Sequence, residues 1–326
     1  MGDPAGVGPE LCLQILTDVD LHRICHPIVV GDFSILSHVA KRLGKDLKCS
    51  VVKHPDVESL RSVTEPTIYD VAQIAIDQVS VGKVSGLTGK AAYEYVRIVV
   101  EQALADNVHG IVTGPIHKEA FHLAGVPYPG HTELLGAMTK CDRFCMMLTS
   151  DELTCSFVTA HVGLREVSDR ITERRVLEVI QLTYESLQKR LARSPKLVVC
   201  ALNPHAGEHG LFGDREEERA ICPAIDTARS LGIEVHGPVP PDTAFLACRR
   251  AETDAYVCMY HDQGLIPLKA LCFETAVNVT IGLPIVRSSV DHGTALDIAW
   301  QGKVDPTSMR CAIRWAATEA RMRKGD

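Results

Sequence analysis

DAYVCMYHDQGLIPLKALCFETAVNVTIGLPIVRSSVDHGTALDIAW (254–300) decides how this chain is read, because short apolar runs alternate there with clustered polar residues. Residues 254–260 read as a buried strand that delivers His261 and Asp262 at its carboxyl end, with Gly264 and Pro267 turning the chain toward Lys269. AVNVTI (276–281) reads as a second strand carrying Asn278, followed by Gly282, Pro284 and Arg287. DHGTALDIAW (291–300) reads as a glycine-containing turn that opens into a helix. Polar residues at strand ends are the first to suspect in an α/β sheet, where ligands collect outside the carboxyl ends of the strands.

Two apolar runs upstream end the same way: TCSFVTA (154–160) stops at His161, and KLVVCAL (196–202) stops just before His205. Three imidazoles at three strand ends can converge on one sheet edge and leave an open position, as a catalytic divalent metal requires. Asp242, in a proline-rich turn, and Asp262 can orient rings or complete the shell. Lys269, Asn278, Arg287, His131 and Thr132 form a second group of cations and donors, suited to a small substrate bearing phosphate and carboxylate. Plainer readings exist: Thr132 as a helix cap, Arg287 or Lys269 paired with surface acids, a lone histidine satisfied in the core. The residues alone give a metal-dependent enzyme acting on a small phosphorylated acid. They leave the reaction open, with a three-histidine hydrolase or lyase as the rival to a dehydrogenase.

Outside these groups, GDPAGVGPE (2–10) reads as a glycine-rich turn entering a helix near Pro9, either a plain tight turn or a backbone cradle for an anion. Met1 stands directly before it with no apolar strand ahead, so the expectation is a chain trimmed at its amino end. Ala92, Val96, Val99 and Ala103 recur at helical spacing within 87–106, whereas 56–85 lack periodicity. His117 and Lys118 stand at a helix start after GIVTGP (110–115), facing either a crevice or solvent. Strand and helix signals alternate throughout, which predicts α/β layers around a largely parallel sheet.

With 326 residues and 46% hydrophobic content there is ample material for one large or two medium domains. The formal charge of -7 and pI near 6.1 argue against a nucleic-acid or anionic-membrane partner. The 12 cysteines show no paired spacing and no leader peptide is apparent, which reads as reduced thiols in a cytoplasmic protein; Cys141 and Cys145 are the closest pair. No apolar run approaches the roughly 20 residues that span a bilayer.

GDPAGVGPE, VTGPIHKEAFHLAGVPYPGHTELLG, NPHAGEHGLFGD, PPDTAF, MYHDQGLIPLK and VNVTIGLPIVRSSVDHGTALDIAWQGK together resemble the 4-hydroxythreonine-4-phosphate dehydrogenase family of vitamin B6 biosynthesis, over nearly the whole chain. The resemblance implies that His161, His205 and His261 hold a divalent metal (zinc, cobalt or magnesium), that His131, Thr132, Lys269, Asn278 and Arg287 contact substrate, and that Asp242, Asp262 and Lys269 serve catalysis. It implies an isocitrate or isopropylmalate dehydrogenase-like fold of two α/β/α domains around a cleft, one of 1–120 with 290–326 and one of 121–289. HGTALDIAWQGKVDP (292–306) is similar to the NAD-binding loop of such decarboxylating dehydrogenases, which marks His292, Gly293, Ala295 and Asp297 for NAD or NADP. The implied reaction oxidises the C3 hydroxyl of 4-phosphohydroxy-L-threonine to a 3-keto acid that decarboxylates to 3-amino-2-oxopropyl phosphate, in a homodimer whose metal sites draw histidines from both subunits. The family has a strand before the GDPAG turn that this sequence does not show. KEAFHLAGVPYPGHTELL and GLIPLKAL look closer to a branch that oxidises 4-phospho-D-threonate or 4-phospho-D-erythronate.

Overall fold

Residues 1–325 are described by a computed structural model, which divides into two compact units: Met1–Asp142 with the segment from Leu283 onward, and Arg143–Gly282. The helix His131–Thr139 therefore belongs with the termini. In chain order the strands are β1 (Ile28–Gly31), β2 (Ser50–Lys53), β3 (Thr67–Asp70), β4 (Ile111–Thr113), β5 (Cys145–Thr149), β6 (Thr154–Phe157), β7 (Leu197–Cys200), β8 (Val235–Val239), β9 (Ala255–Cys258), β10 (Val277–Ile281) and β11 (Arg287–Ser289).

The unit built from both termini holds a parallel sheet in the order β1-β3-β2 and the parallel pair β4 and β11. Leu13, Ile35, Leu36, Ile68, Tyr69 and Tyr95 meet in its core, each such burial contributing roughly 1.5–3 kcal/mol before entropy is counted. Residues 56–85, which lack periodicity, nevertheless supply β3, the central strand of that sheet. A strand of four residues, three of them buried, is too short to display a period. The Asp32 carboxylate, fully buried after β1, accepts from Gln73 N, Ile74 N and Tyr95 Oη at 2.7–2.9 Å and so ties the β1 and β3 turns together.

In the middle unit the strand order is β10-β5-β6-β9-β7-β8. Pairings involving β5 are antiparallel and the others parallel, so the sheet is more mixed than its sequence suggests. The helix Glu173–Leu191 starts at the Thr172 cap and buries Val176, Val179, Ile180, Thr183 and Leu187, a stripe at helical spacing.

Two local expectations fail for physical reasons. Gly264 and Pro267 do not turn the chain: the helix His261–Cys272 runs through both. Glycine is needed because a Cβ at 264 would lie 2.8 Å from Cys258 Sγ and from Phe157 Cε1, so the residue lets helix and sheet approach. Nor does 291–300 open into a long helix. Ala295 adopts a left-handed φ of 42°, a single 3-10 turn follows at Leu296–Ile298, and the next α-helix begins at Thr307. All 12 cysteines are free thiols. Burial pushes the Cys145 thiol up to about 12, which leaves it a poor metal ligand. No helix among the described residues is long and apolar enough to cross a membrane.

Candidate active site

β6, β9 and β7 are adjacent and mutually parallel, so His161, His261 and His205 all follow carboxyl ends on one edge of the middle unit's sheet. Two of the rings meet: the His161 and His261 centroids are 5.9 Å apart. Asp262 Oδ1 lies 2.7 Å from His261 Nδ1, an arrangement that fixes the ring and leaves Nε2 as the ligand atom. Gln263 sets the height of that helix start by accepting from Met259 N and donating to Ala201 O, both at 2.7 Å, which ties it to the ends of β9 and β7. Sequence patterning does not mark Gln263, since a buried amide in a helix has no periodic signal.

His205 does not join the pair. Among the described residues, no group of three His, Cys, Asp or Glu side chains is placed to hold a metal. His205 is exposed and packs on Phe212, with ring centroids 6.1 Å apart. It begins a run from His205 to His209 in which every φ is positive. Consecutive left-handed residues with side chains are costly, of order 1 kcal/mol each, and buried acids hold them in place. Glu217 accepts from Leu202 N and Asn203 N at 3.0 and 2.8 Å, while Asn203 Nδ2 donates to Glu216 and Glu217. The pair fits a divalent ion as part of a shell, two imidazoles with an ordered ring, and lacks its third ligand within one chain. Asp242 is exposed on the turn Pro241–Ala244 and makes no side-chain bond among the described residues. Lys269 lies two turns beyond His261, its Nζ 5.6 Å from the centre of the Phe273 ring. Asn278, on β10, buries an Oδ1 that has no partner.

A second polar cluster belongs to the unit of the termini. Arg287 opens β11, is 2% exposed and donates to Thr113 Oγ1 on β4 at 2.9 Å. Burial pulls its pKa down to about 10, opposed by the nearby Glu133 carboxylate, so the guanidinium remains charged at neutral pH. His131 and Thr132 open the helix His131–Thr139, with Gly130 at the cap and no side-chain cap bond. Thr132 is therefore not the cap. Burial first, and then the Arg287 charge, hold the His131 imidazole well below its usual pKa, and its Nε2 is buried without a partner. A buried cation beside an unsatisfied ring nitrogen suits an incoming anion.

The GDPAGVGPE turn is not an anion cradle. Its N–H groups at Asp3, Ala5, Gly6 and Val7 are bonded to Pro115 O, Asp3 Oδ1, Asp3 O and Thr294 O. It buttresses 292–302 instead: a Cβ on Gly6 would come within 2.7 Å of Thr294 O, Trp300 Nε1 donates to Pro4 O at 3.2 Å, and Glu10 accepts from Gln301 N and Gly302 N. On the supported loop, His292 Nδ1 lies 3.0 Å from Gly293 O, His292 Nε2 is buried without a partner, and a Cβ on Gly293 would meet nothing. Ala295 is the left-handed residue and Asp297 is exposed. His117 is half-buried next to the charge of Asp3, whereas Lys118 faces solvent.

A family model described as pyridoxal phosphate biosynthetic protein PdxA matches residues 23–316. A curated relative from Oceanobacillus iheyensis named "Putative D-threonate 4-phosphate dehydrogenase" is 46% identical over 97% of this chain and 95% of its own. One from Desulforapulum autotrophicum named 4-hydroxythreonine-4-phosphate dehydrogenase is 42% identical over 98% and 94%. The crystal structure of 4-hydroxythreonine-4-phosphate dehydrogenase from Klebsiella pneumoniae is 38% identical, with a TM-score of 0.85 over 98% of each chain.

Proposed function

Because the chain belongs to the pyridoxal phosphate biosynthetic protein PdxA family, we propose that it is a dehydrogenase that oxidises the C3 hydroxyl of 4-phosphohydroxy-L-threonine. The α/β fold is shared with the 38% identical Klebsiella pneumoniae enzyme, and the resemblance reads it as isocitrate/isopropylmalate dehydrogenase-like. The observation that carries the reading at the site is the meeting of His161 and His261 at the ends of β6 and β9, with Asp262 on the second ring. A divalent ion (zinc, cobalt or magnesium) on these two histidines and on His205 from a second subunit would supply Lewis acidity toward the hydroxyl. NAD, or NADP, would accept the hydride from C3.

The remaining work falls to side chains. Arg287, His131 and Thr132 serve as substrate contacts in the unit of the termini, where a buried cation and the buried His131 ring nitrogen suit an anionic group, and Lys269 and Asn278 serve as substrate contacts in the middle unit. Asp262 keeps His261 in one orientation, and Asp242 stands at the strand-end edge without a fixed partner. His292, Gly293, Ala295 and Asp297 hold the nucleotide, the left-handed Ala295 bending the loop and Gly293 leaving room for close approach. Loss of the C3 hydride and the hydroxyl proton leaves a 3-keto acid, and loss of its carboxylate as carbon dioxide gives 3-amino-2-oxopropyl phosphate.

A second reading, D-threonate 4-phosphate as substrate, is favoured by the 46% identical relative. The two acids differ at C2, amine against hydroxyl. Assaying 4-phosphohydroxy-L-threonine, 4-phospho-D-threonate and 4-phospho-D-erythronate side by side, with NAD and with NADP, should give reduced-nicotinamide absorbance that a chelator abolishes. Absence of that signal with all three acids would overturn the dehydrogenase reading and favour a hydrolase or lyase.

A further inference from the structure

In the middle unit, Gln263 joins the end of β9, which leads to His261, to the end of β7, which leads to His205. The segment after β6 that carries His161 is anchored differently. Backbone bonds in 161–171 are local: Val162 N donates to Ala160 O, Glu166 N to Gly163 O and Ile171 N to Ser168 O. Val167, 3% exposed, holds the segment by apolar contact, which is not directional. Ser168, in the short helix Val167–Arg170, supplies the direction, because its Oγ donates to Glu216 Oε1.

The other oxygen of that carboxylate accepts from Asn203 Nδ2 at 2.9 Å and from Asp214 N at 2.7 Å. Arg219 Nη2 donates to Ser168 O at 3.3 Å and stands 3.9 Å from Glu216 Oε1, over the same junction. Glu216 is 3% exposed, and a carboxylate taken that far out of water needs such donors. Asn203 lies two residues before His205, and its amide also donates to Glu217 Oε2 at 3.0 Å. Little slack is left there: a Cβ on Gly213 would collide with the Asn203 amide, and one on Gly207 would lie 2.7 Å from Glu217 Oε2. We infer that Glu216 is a positioning residue of the candidate metal site: through Ser168 on one oxygen and Asn203 on the other, it fixes the His161 segment against the His205 segment. With Gln263 it completes a buried frame, so that one network sets all three imidazoles. The inference rests on the reading of the three histidines as ligands and adds what orders them before a metal arrives.

Ser168→Ala removes the hydroxyl that reaches Glu216, Ser168→Thr keeps one, and Asp169→Ala changes the exposed neighbour as a control. In the metal-free proteins, hydrogen exchange read by mass spectrometry should speed up in 202–214 for Ser168→Ala, although the substitution lies in the other segment. Ser168→Thr and Asp169→Ala should exchange as the parent does. Faster exchange confined to 161–171 would overturn the inference, since Glu216 would then transmit nothing. Calorimetric titration with zinc should show a Kd raised by about tenfold or more in Ser168→Ala and in Glu216→Ala. The double variant should bind no worse than Glu216→Ala alone, because both substitutions break one connection; if Glu216→Ala does not fold, the two Ser168 variants still decide. Parental zinc affinity in Ser168→Ala, despite loosened exchange, would overturn the positioning role and leave the histidines as ligands. Parental affinity in His261→Ala would remove the histidine reading itself, and the inference with it.

Discussion

His131 shows how one residue's surroundings set its chemistry. Burial and the Arg287 charge keep its ring neutral in the folded protein, whereas in the unfolded chain it titrates near its ordinary value of about 6.5. As pH falls from there toward the depressed folded value, the unfolded state binds a proton that the folded state refuses, and stability is lost. A bound phosphate dianion reverses the balance, because it offers the protonated ring a partner and offsets Arg287. Titrating 4-phospho-D-threonate calorimetrically near pH 7.5, in buffers of different ionisation enthalpy, should therefore reveal uptake of about one proton per site. His131→Asn should remove that uptake while the protein stays folded. Identical heats in all buffers for the parent protein would take His131 out of the anion site.

At the scale of elements, what could be read in the sequence was set by whether local pattern or distant contact determines the structure. Strands β6, β7 and β9 end a few residues before His161, His205 and His261 because apolar runs stop where polar residues begin, and that boundary is visible in one dimension. The left-handed run His205–His209 and the support of 292–302 by Gly6, Trp300 and Glu10 depend on partners far away in sequence, so neither leaves a local signal. Gly264 lies between the cases, since its role depends on how closely one helix approaches the sheet. Gly→Ala in an exposed helix interior stabilises by about 1 kcal/mol. Here the new methyl would sit 2.8 Å from Cys258 Sγ and Phe157 Cε1, and overpacking of that kind costs about 1–3 kcal/mol. The second effect exceeds the first, so Gly264→Ala should lower Tm and, by lifting the helix that begins at His261, weaken metal binding. An unchanged or raised Tm would mean the helix and sheet part without strain.

For the whole molecule, the separation of His205 from the His161 and His261 pair sharpens the expectation of shared sites. If one subunit supplies the pair and the other supplies His205, a hybrid of His161→Ala and His205→Ala chains puts both lesions in one site and leaves the other intact. The same holds for His261→Ala with His205→Ala. A hybrid of His161→Ala with His261→Ala damages both sites. Unfolding and refolding the single variants together forms hybrids as half of the dimers at random pairing, so either mixture containing His205→Ala should regain up to about one quarter of parental activity. The mixture lacking it should regain none. Hybrid formation is checked by native mass, using one chain with a distinguishing tag. Recovery only in the mixture of His161→Ala with His261→Ala would place those two ligands on different subunits, against the 5.9 Å approach of their rings in one chain. Failure in all three mixtures, with hybrids present, would mean that His205 closes on its own chain's pair when the metal binds.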